Sequence, residues 1–246
     1  LLNLRFRRSV DEENGFFPPW DYGGLILLVA GSGLGQNASK PAESDASKLV
    51  YADFQNPQNG RPVSKQGGMT RLNRYSQNPA NPPQFRGLEN ADPPAPALAR
   101  VTGEDMAAAF EYEFRIPNDW EGVQIEVFGQ PEKDGKPVPD DVSGYKFITL
   151  RVFAKAAQYI RLELITRGQG TSLESGYPIA SFRVSPGFIT YKLKLDSFNQ
   201  PDWAIPLDLK RDVLKKLTSV TIGVHCEKTC TMEKGTVVVD NIAFEK

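Results

Sequence analysis

The chain's single histidine, His225, is followed directly by Cys226 in the stretch HCEKTC, and Cys230, the only other cysteine, closes it. An imidazole and two thiols this close together suggest a metal site, a disulfide or a nucleophile with its base. Zinc needs a fourth ligand of the same kind, and the sequence has no further Cys or His to supply one. A c-type haem needs Cys-x-x-Cys-His, and both order and spacing are wrong here. Strand neighbours point to opposite faces, so His225 cannot act as base to Cys226 directly. Two readings stay open: a disulfide closing a small loop, which would mark an oxidising compartment, or two free thiols on a hairpin.

Two other patterns invite chemistry. Glu111 and Glu113 share a strand face in EYE, and paired carboxylates perform glycoside hydrolysis when they flank a cleft. Nothing around them separates their acidities, so an exposed strand face is the simpler reading. GGLILLVAGSGLGQ, residues 23–36, resembles a strand entering a phosphate-binding turn. The helix whose N-terminal amides would hold the pyrophosphate cannot form in NASKPAESDASK, which has a proline and no apolar periodicity. No phosphate loop, zinc signature or hydrolytic triad can be drawn, and the sequence predicts a protein that is not an enzyme.

The N-terminal part supports a different role. RFRR, residues 5–8, followed by an apolar run, resembles an export signal, but an acidic and Pro-Pro stretch separates the two. Residues 23–35 would make a helix of about 20 Å, short of the apolar thickness of a bilayer, about 30 Å. Phe16, Phe17 and Trp20 just upstream are residue types that favour the headgroup zone. Residues 1–47 therefore read as an anchoring or docking extension and linker. Its contacts with a membrane or partner would come from Phe16, Phe17, Trp20, Leu25, Ile26, Leu27, Leu28 and Val29.

The elements that must position any site lie beyond it. The chain has 246 residues, 40% apolar and 24% charged, with a net charge of -1, a globular composition with no general attraction to nucleic acid. KLVYADFQ reads as a first strand, and residues 56–97, rich in Pro, Asn, Gln and Gly, as a long ordered loop or edge arm. Alternation then dominates. Phe110, Tyr112 and Phe114 oppose Glu111, Glu113 and Arg115; Val123, Ile125 and Val127 oppose Gln124 and Glu126. Ile148, Leu150 and Val152 oppose Phe147, Thr149 and Arg151; Ile160, Leu162 and Leu164 oppose Tyr159, Arg161 and Glu163. Period-two patterns of this kind indicate antiparallel strands with one buried face. PIASFRV, FITYKLKL, SVTIGVHC and GTVVVDNIAF continue the series, and only PLDLKRDVLKKL reads as a short helix. A single sheet would leave its apolar face wet, so the strands must pack as two. The expected fold is an all-β, two-sheet antiparallel β-sandwich of jelly-roll type over residues 48–246, preceded by a loop-rich extension.

The C-terminal half resembles known families. SGYKFITLRVFAKAAQYIRLELITRG, YPIASFRVSPGFITYKLKLDSFNQPDW and the closing strand Gly235 to Phe244 are similar to galactose-binding-like jelly rolls. Among these they resemble family 11 carbohydrate-binding modules and the complex I intermediate-associated protein 30 family. KQGGMTRLNRYS looks like a degraded copy of a glycine pair in the latter. The first resemblance implies a glycan-binding sheet face carrying Tyr145, Phe147, Arg151, Tyr159, Arg161, Glu163 and Arg183. It also implies a structural calcium near Asp53 and Asp240. The second implies an assembly or scaffold factor in an energy-converting membrane. The resulting expectation is an extracytoplasmic, membrane-associated accessory subunit, docked through its N-terminal segment onto an integral membrane protein complex. The alternative is a secreted carbohydrate-binding module.

Overall fold

A computed structural model describes residues 47–103, 105–115, 120–155, 157, 159–167, 177–185, 187–202, 204–226 and 233–246. The proposed docking residues Phe16, Phe17, Trp20, Leu25, Ile26, Leu27, Leu28 and Val29 lie outside them. No helix among the described residues is long and apolar enough to cross a membrane.

Among the described residues twelve strands form two antiparallel sheets, β1 (Lys48–Ala52), β2 (Thr70–Ser76), β3 (Gln84–Arg86), β4 (Ala97–Arg100), β5 (Met106–Glu113), β6 (Glu121–Phe128), β7 (Phe147–Lys155), β8 (Tyr159–Ile165), β9 (Ile179–Arg183), β10 (Ile189–Lys194), β11 (Ser219–Cys226) and β12 (Lys234–Glu245). One sheet runs β10-β7-β12-β5-β3, with β1 added on β12 and β4 on β5; the other runs β2-β6-β11-β8-β9. This is the β-sandwich that the alternation predicts. The expected helix is a single six-residue π-helical turn, Leu209–Leu214, whose N-terminus is capped by the Asp208 carboxylate accepting from the Arg211 backbone N–H.

The apolar members of each alternating pair meet between the sheets. Val123, Ile125 and Val127 of β6, Ile160, Leu162 and Leu164 of β8, and Val220, Ile222 and Val224 of β11 face Phe110, Ile148, Leu150, Val152, Val237 and Val239 across one core. Each such side chain contributes about 1.5–3 kcal/mol on burial. Strand β12 keeps its apolar residues inward over twelve residues only by breaking register. A bulge between Asp240 and Ala243, with Asn241 at φ 50°, moves the inward positions from Val237 and Val239 to Ile242 and Phe244. Asn tolerates this left-handed conformation better than other residues with a Cβ.

One expected feature is corrected. Residues 56–97 are not simply a loop, because they contain β2 and β3 and the first residue of β4. Strand β2, TRLNRYS, places a single large apolar side chain, Leu72, in the core. Its pattern is therefore masked by the surrounding Pro and Asn, and partnership with β6 makes it a strand.

Candidate functional site

The polar members of the alternating pairs in the five-stranded sheet form its outer face, and cross-strand register arranges them in rows. The first row crosses Arg71, Glu126, Thr221, Glu163 and Ile179; the second crosses Asn73, Gln124, Gly223, Arg161 and Ser181. The third contains Tyr75, Gly122 and His225, and the same register carried along β8 and β9 adds Tyr159 opposite Arg183. Neighbouring strands are about 4.8 Å apart, so five of them give a face roughly 19 Å wide.

The first row is fixed by ion pairs. Glu126 is fully buried. Its Oε2 accepts from Arg71 Nε at 2.7 Å and Asn73 Nδ2 at 2.9 Å. Its Oε1 accepts from the Ser219 hydroxyl at 2.6 Å and lies 3.2 Å from Arg167. Both oxygens are thus held by protein donors, and the carboxylate acts as a post that orients two guanidinium groups. Arg71 also stacks over the Phe128 ring at 4.7 Å. On the other side of Thr221, Glu163 Oε2 accepts from the Thr221 hydroxyl at 3.1 Å. The Arg161 Nε lies 2.7 Å from Glu163 Oε1, yet Nε makes no hydrogen bond, so the contact is one of charge with a donor left over. The Tyr177 hydroxyl, close to this pair, is held above its usual acidity range by burial and by the Glu163 carboxylate.

The third row is aromatic. The Tyr75 hydroxyl and His225 Nδ1 are 3.0 Å apart, and the ring lies 5.9 Å from Trp120 and 5.6 Å from the imidazole. Gly122 makes this possible: a Cβ there would fall 2.3 Å from Tyr75 Cζ, so the ring rests directly on the glycine. Beside the row Trp120 is 44% exposed and within it Tyr159 is 57% exposed, two of only four large apolar side chains so exposed among the described residues.

The residues expected to share a ligand face are divided. Tyr159, Arg161, Glu163 and Arg183 share this face, on the adjacent strands β8 and β9. Phe147 and Arg151 belong to β7 in the seven-stranded sheet, and Tyr145 packs on Phe244 of the core at 6.2 Å. The chain changes sheets between Lys155 and Tyr159, so two strands adjacent in sequence display their polar residues on opposite sides of the sandwich. Sequence reasoning missed Asn73, Tyr75, Trp120 and Gln124 as members of the face; the Arg71, Asn73, Tyr75 alternation in β2 was the available signal. Cys230 lies outside the described residues, whereas Cys226, at the end of β11, is disulfide-bonded.

The carboxylates considered for calcium lie at the opposite face. Asp240 is fully buried, and its Oδ1 lacks a hydrogen-bond partner. Burial, then the charge of Asp105, pushes its pKa up to about 7. However, the Arg151 guanidinium lies 3.0 Å from Asp105 and 3.4 Å from Asp240, and Lys65 Nζ lies 2.5 Å from Asp53. Calcium needs six to eight oxygens around an open centre, and here two side-chain cations answer the carboxylates. No group of three or more His, Cys, Asp or Glu among the described residues is arranged to hold a metal. These residues do not fit the ion.

No family model and no curated protein matches the sequence. Similar solved structures include the family 11 carbohydrate-binding module of a cellulosomal cellulase from Clostridium thermocellum, at 16% identity over 80% of this chain and 94% of that one, with a TM-score of 0.48. A family 11 module from the same organism in complex with a β-1,3-1,4-mixed-linked tetrasaccharide is 17% identical over 80% of this chain and 95% of that one, with a TM-score of 0.48. An exo-β-agarase structure is 14% identical over 80% of this chain and 25% of that one, with a TM-score of 0.41. Nothing in these comparisons or in the described residues supports the docking expected of the N-terminal segment or the resemblance to the complex I-associated family.

Proposed function

We propose that the domain is an exported, non-catalytic module that binds a polysaccharide across the outer face of the five-stranded sheet. The observation that supports this reading is the pair of exposed rings, Trp120 and Tyr159, at one end of the sheet face beside a floor of immobilised hydrogen-bonding groups. A sugar ring presents an apolar C–H surface on one side and hydroxyls at its edge. An aromatic face takes the former and polar side chains the latter. Asn73, Gln124, Arg161 and Ser181 supply donors and acceptors beside the aromatic row. The ion pairs of Glu126 and Glu163 restrict the arginines before any ligand arrives, which lowers the entropy lost on binding. Glu126 is unsuited to proton transfer, because each of its oxygens is already committed to protein donors.

The test is retention of the recombinant domain on immobilised polysaccharides, including the mixed-linked β-glucan type seen with the family 11 module. Trp120→Ala and Tyr159→Ala should each weaken retention at least about tenfold, as loss of a large aromatic contact does. Phe153→Ala, on the other sheet, should leave it unchanged. If both ring variants bind as well as the parent, the glycan reading fails.

A further inference from the structure

The charge on this face is at odds with the charge of the chain. The whole sequence has a net charge of -1. The outer face of the five-stranded sheet carries four guanidinium groups among its described residues, those of Arg71, Arg161, Arg167 and Arg183, against two carboxylates, those of Glu126 and Glu163. Glu126 is shared between two arginines, and Glu163 forms an ion pair with one, Arg161, among the described residues. Arg183 makes no ion pair among the described residues. It is exposed on the edge strand β9, directly across from the exposed Tyr159 ring and one row from Arg161. The donors are also incompletely used: Arg161 Nε, buried, has no hydrogen bond. A stacking ring beside a free guanidinium, with a second guanidinium behind it, can hold a sugar ring and an acidic substituent of that ring at once.

We propose that the ligand is an anionic polysaccharide, carrying carboxylate or sulfate groups, with Arg183 and Arg161 pairing with the acidic substituent of the unit stacked on Tyr159. This inference rests on the glycan-binding reading and narrows it. Guanidinium suits the task because its planar fork donates two parallel hydrogen bonds to a carboxylate or sulfate. A neutral glucan offers hydroxyl acceptors but no charge to pair with the exposed Arg183 guanidinium.

Binding of the domain should be measured by affinity electrophoresis and calorimetry against polygalacturonate and alginate, which carry carboxylates, κ-carrageenan, which carries sulfates, and neutral mixed-linked β-glucan and galactomannan. A single-stranded DNA oligonucleotide serves as a non-glycan polyanion. The expected result is binding to at least one charged glycan, which of the two groups responds identifying the substituent. That binding should fall at least about tenfold in Arg183→Gln, the scale of a charged hydrogen bond, and weaken as salt screens the exposed pair. Arg183 is exposed at a sheet edge, so its replacement leaves the core intact, and Arg161→Gln provides a second, independent variant. Binding to a neutral glucan that neither salt nor Arg183→Gln alters would overturn the inference while leaving the glycan reading in place. Retention by none of the five polysaccharides would overturn both, as would binding confined to the oligonucleotide.

Discussion

The two outer faces of the sandwich are built by the same alternation and end in opposite states. On the five-stranded sheet, glycines and ion-paired side chains form the floor while Trp120 and Tyr159 stand exposed at the rim. On the seven-stranded sheet, the floor is Ala99, Ala107, Ala109 and Val238, all fully buried, with Phe153 and Phe188 packed against them. The Arg151 guanidinium stacks on Phe188 at 4.2 Å and reaches Asp105 and Asp240. Small apolar residues under a cover of their own loops and rings make a second core. Fixed polar groups with uncovered rings make a surface prepared for a ligand. Polarity alone does not separate the two faces, since both carry buried carboxylates facing arginine; what separates them is whether the aromatic rings close over the floor or leave it accessible.

The strongest challenge to this comparison is Glu126→Ala. It strips the five-stranded face of its post and leaves Arg71, Asn73, Arg167 and Ser219 without their acceptor, at a cost of about 3 kcal/mol. Urea unfolding measures it, and an unchanged midpoint would mean that the ion pairs do not organise the floor. Next comes the pH response of the opposite face. Asp240 has a folded-state pKa raised from 3.8 to about 7, so the folded state binds the proton more tightly than the unfolded chain. Its contribution is fully present below about pH 4 and is lost as pH rises to about 7. The stability of the parent relative to Asp240→Asn should therefore fall across that window by roughly 2 kcal/mol, less than the full shift implies because relaxation around a buried charge relieves part of its cost. A difference independent of pH would refute the assignment. Ala109→Leu should overfill the closed face and destabilise by about 1–2 kcal/mol, with glycan retention unchanged; loss of retention would show that the two faces are coupled. The smallest effect belongs to Gly122→Ala. The new methyl group displaces the Tyr75 ring, a flexible side-chain end, so stability should shift by less than about 1 kcal/mol while affinity drops several-fold. Equal affinity would remove Tyr75 from the site.

Much of this arrangement could be read before any coordinates. Ile160, Leu162 and Leu164 against Tyr159, Arg161 and Glu163 showed both the strand and its two faces, because a pleated backbone turns each side chain away from its neighbours. Other parts were hidden for definite reasons. Strand β2 carries too little apolar surface to announce itself, and its identity comes from pairing with β6. Glu126 alternates as a solvent-facing residue should, yet it is fully buried because Arg71 and Arg167 close over it. Trp120, in what reads as a turn, is joined to the face by its contact with Tyr75, forty-five positions earlier in the sequence.

The sequence by itself determined that the chain is a two-layer antiparallel sandwich and which side of each strand faces inward, since alternation with period two is a local property enforced by backbone geometry. Only the tertiary structure decided which strands share a sheet, and so which polar residues stand together. Pairing partners are chosen by contacts between distant segments, and the change of sheet between Lys155 and Tyr159 separates Arg151 from Arg161 although ten positions of chain connect them.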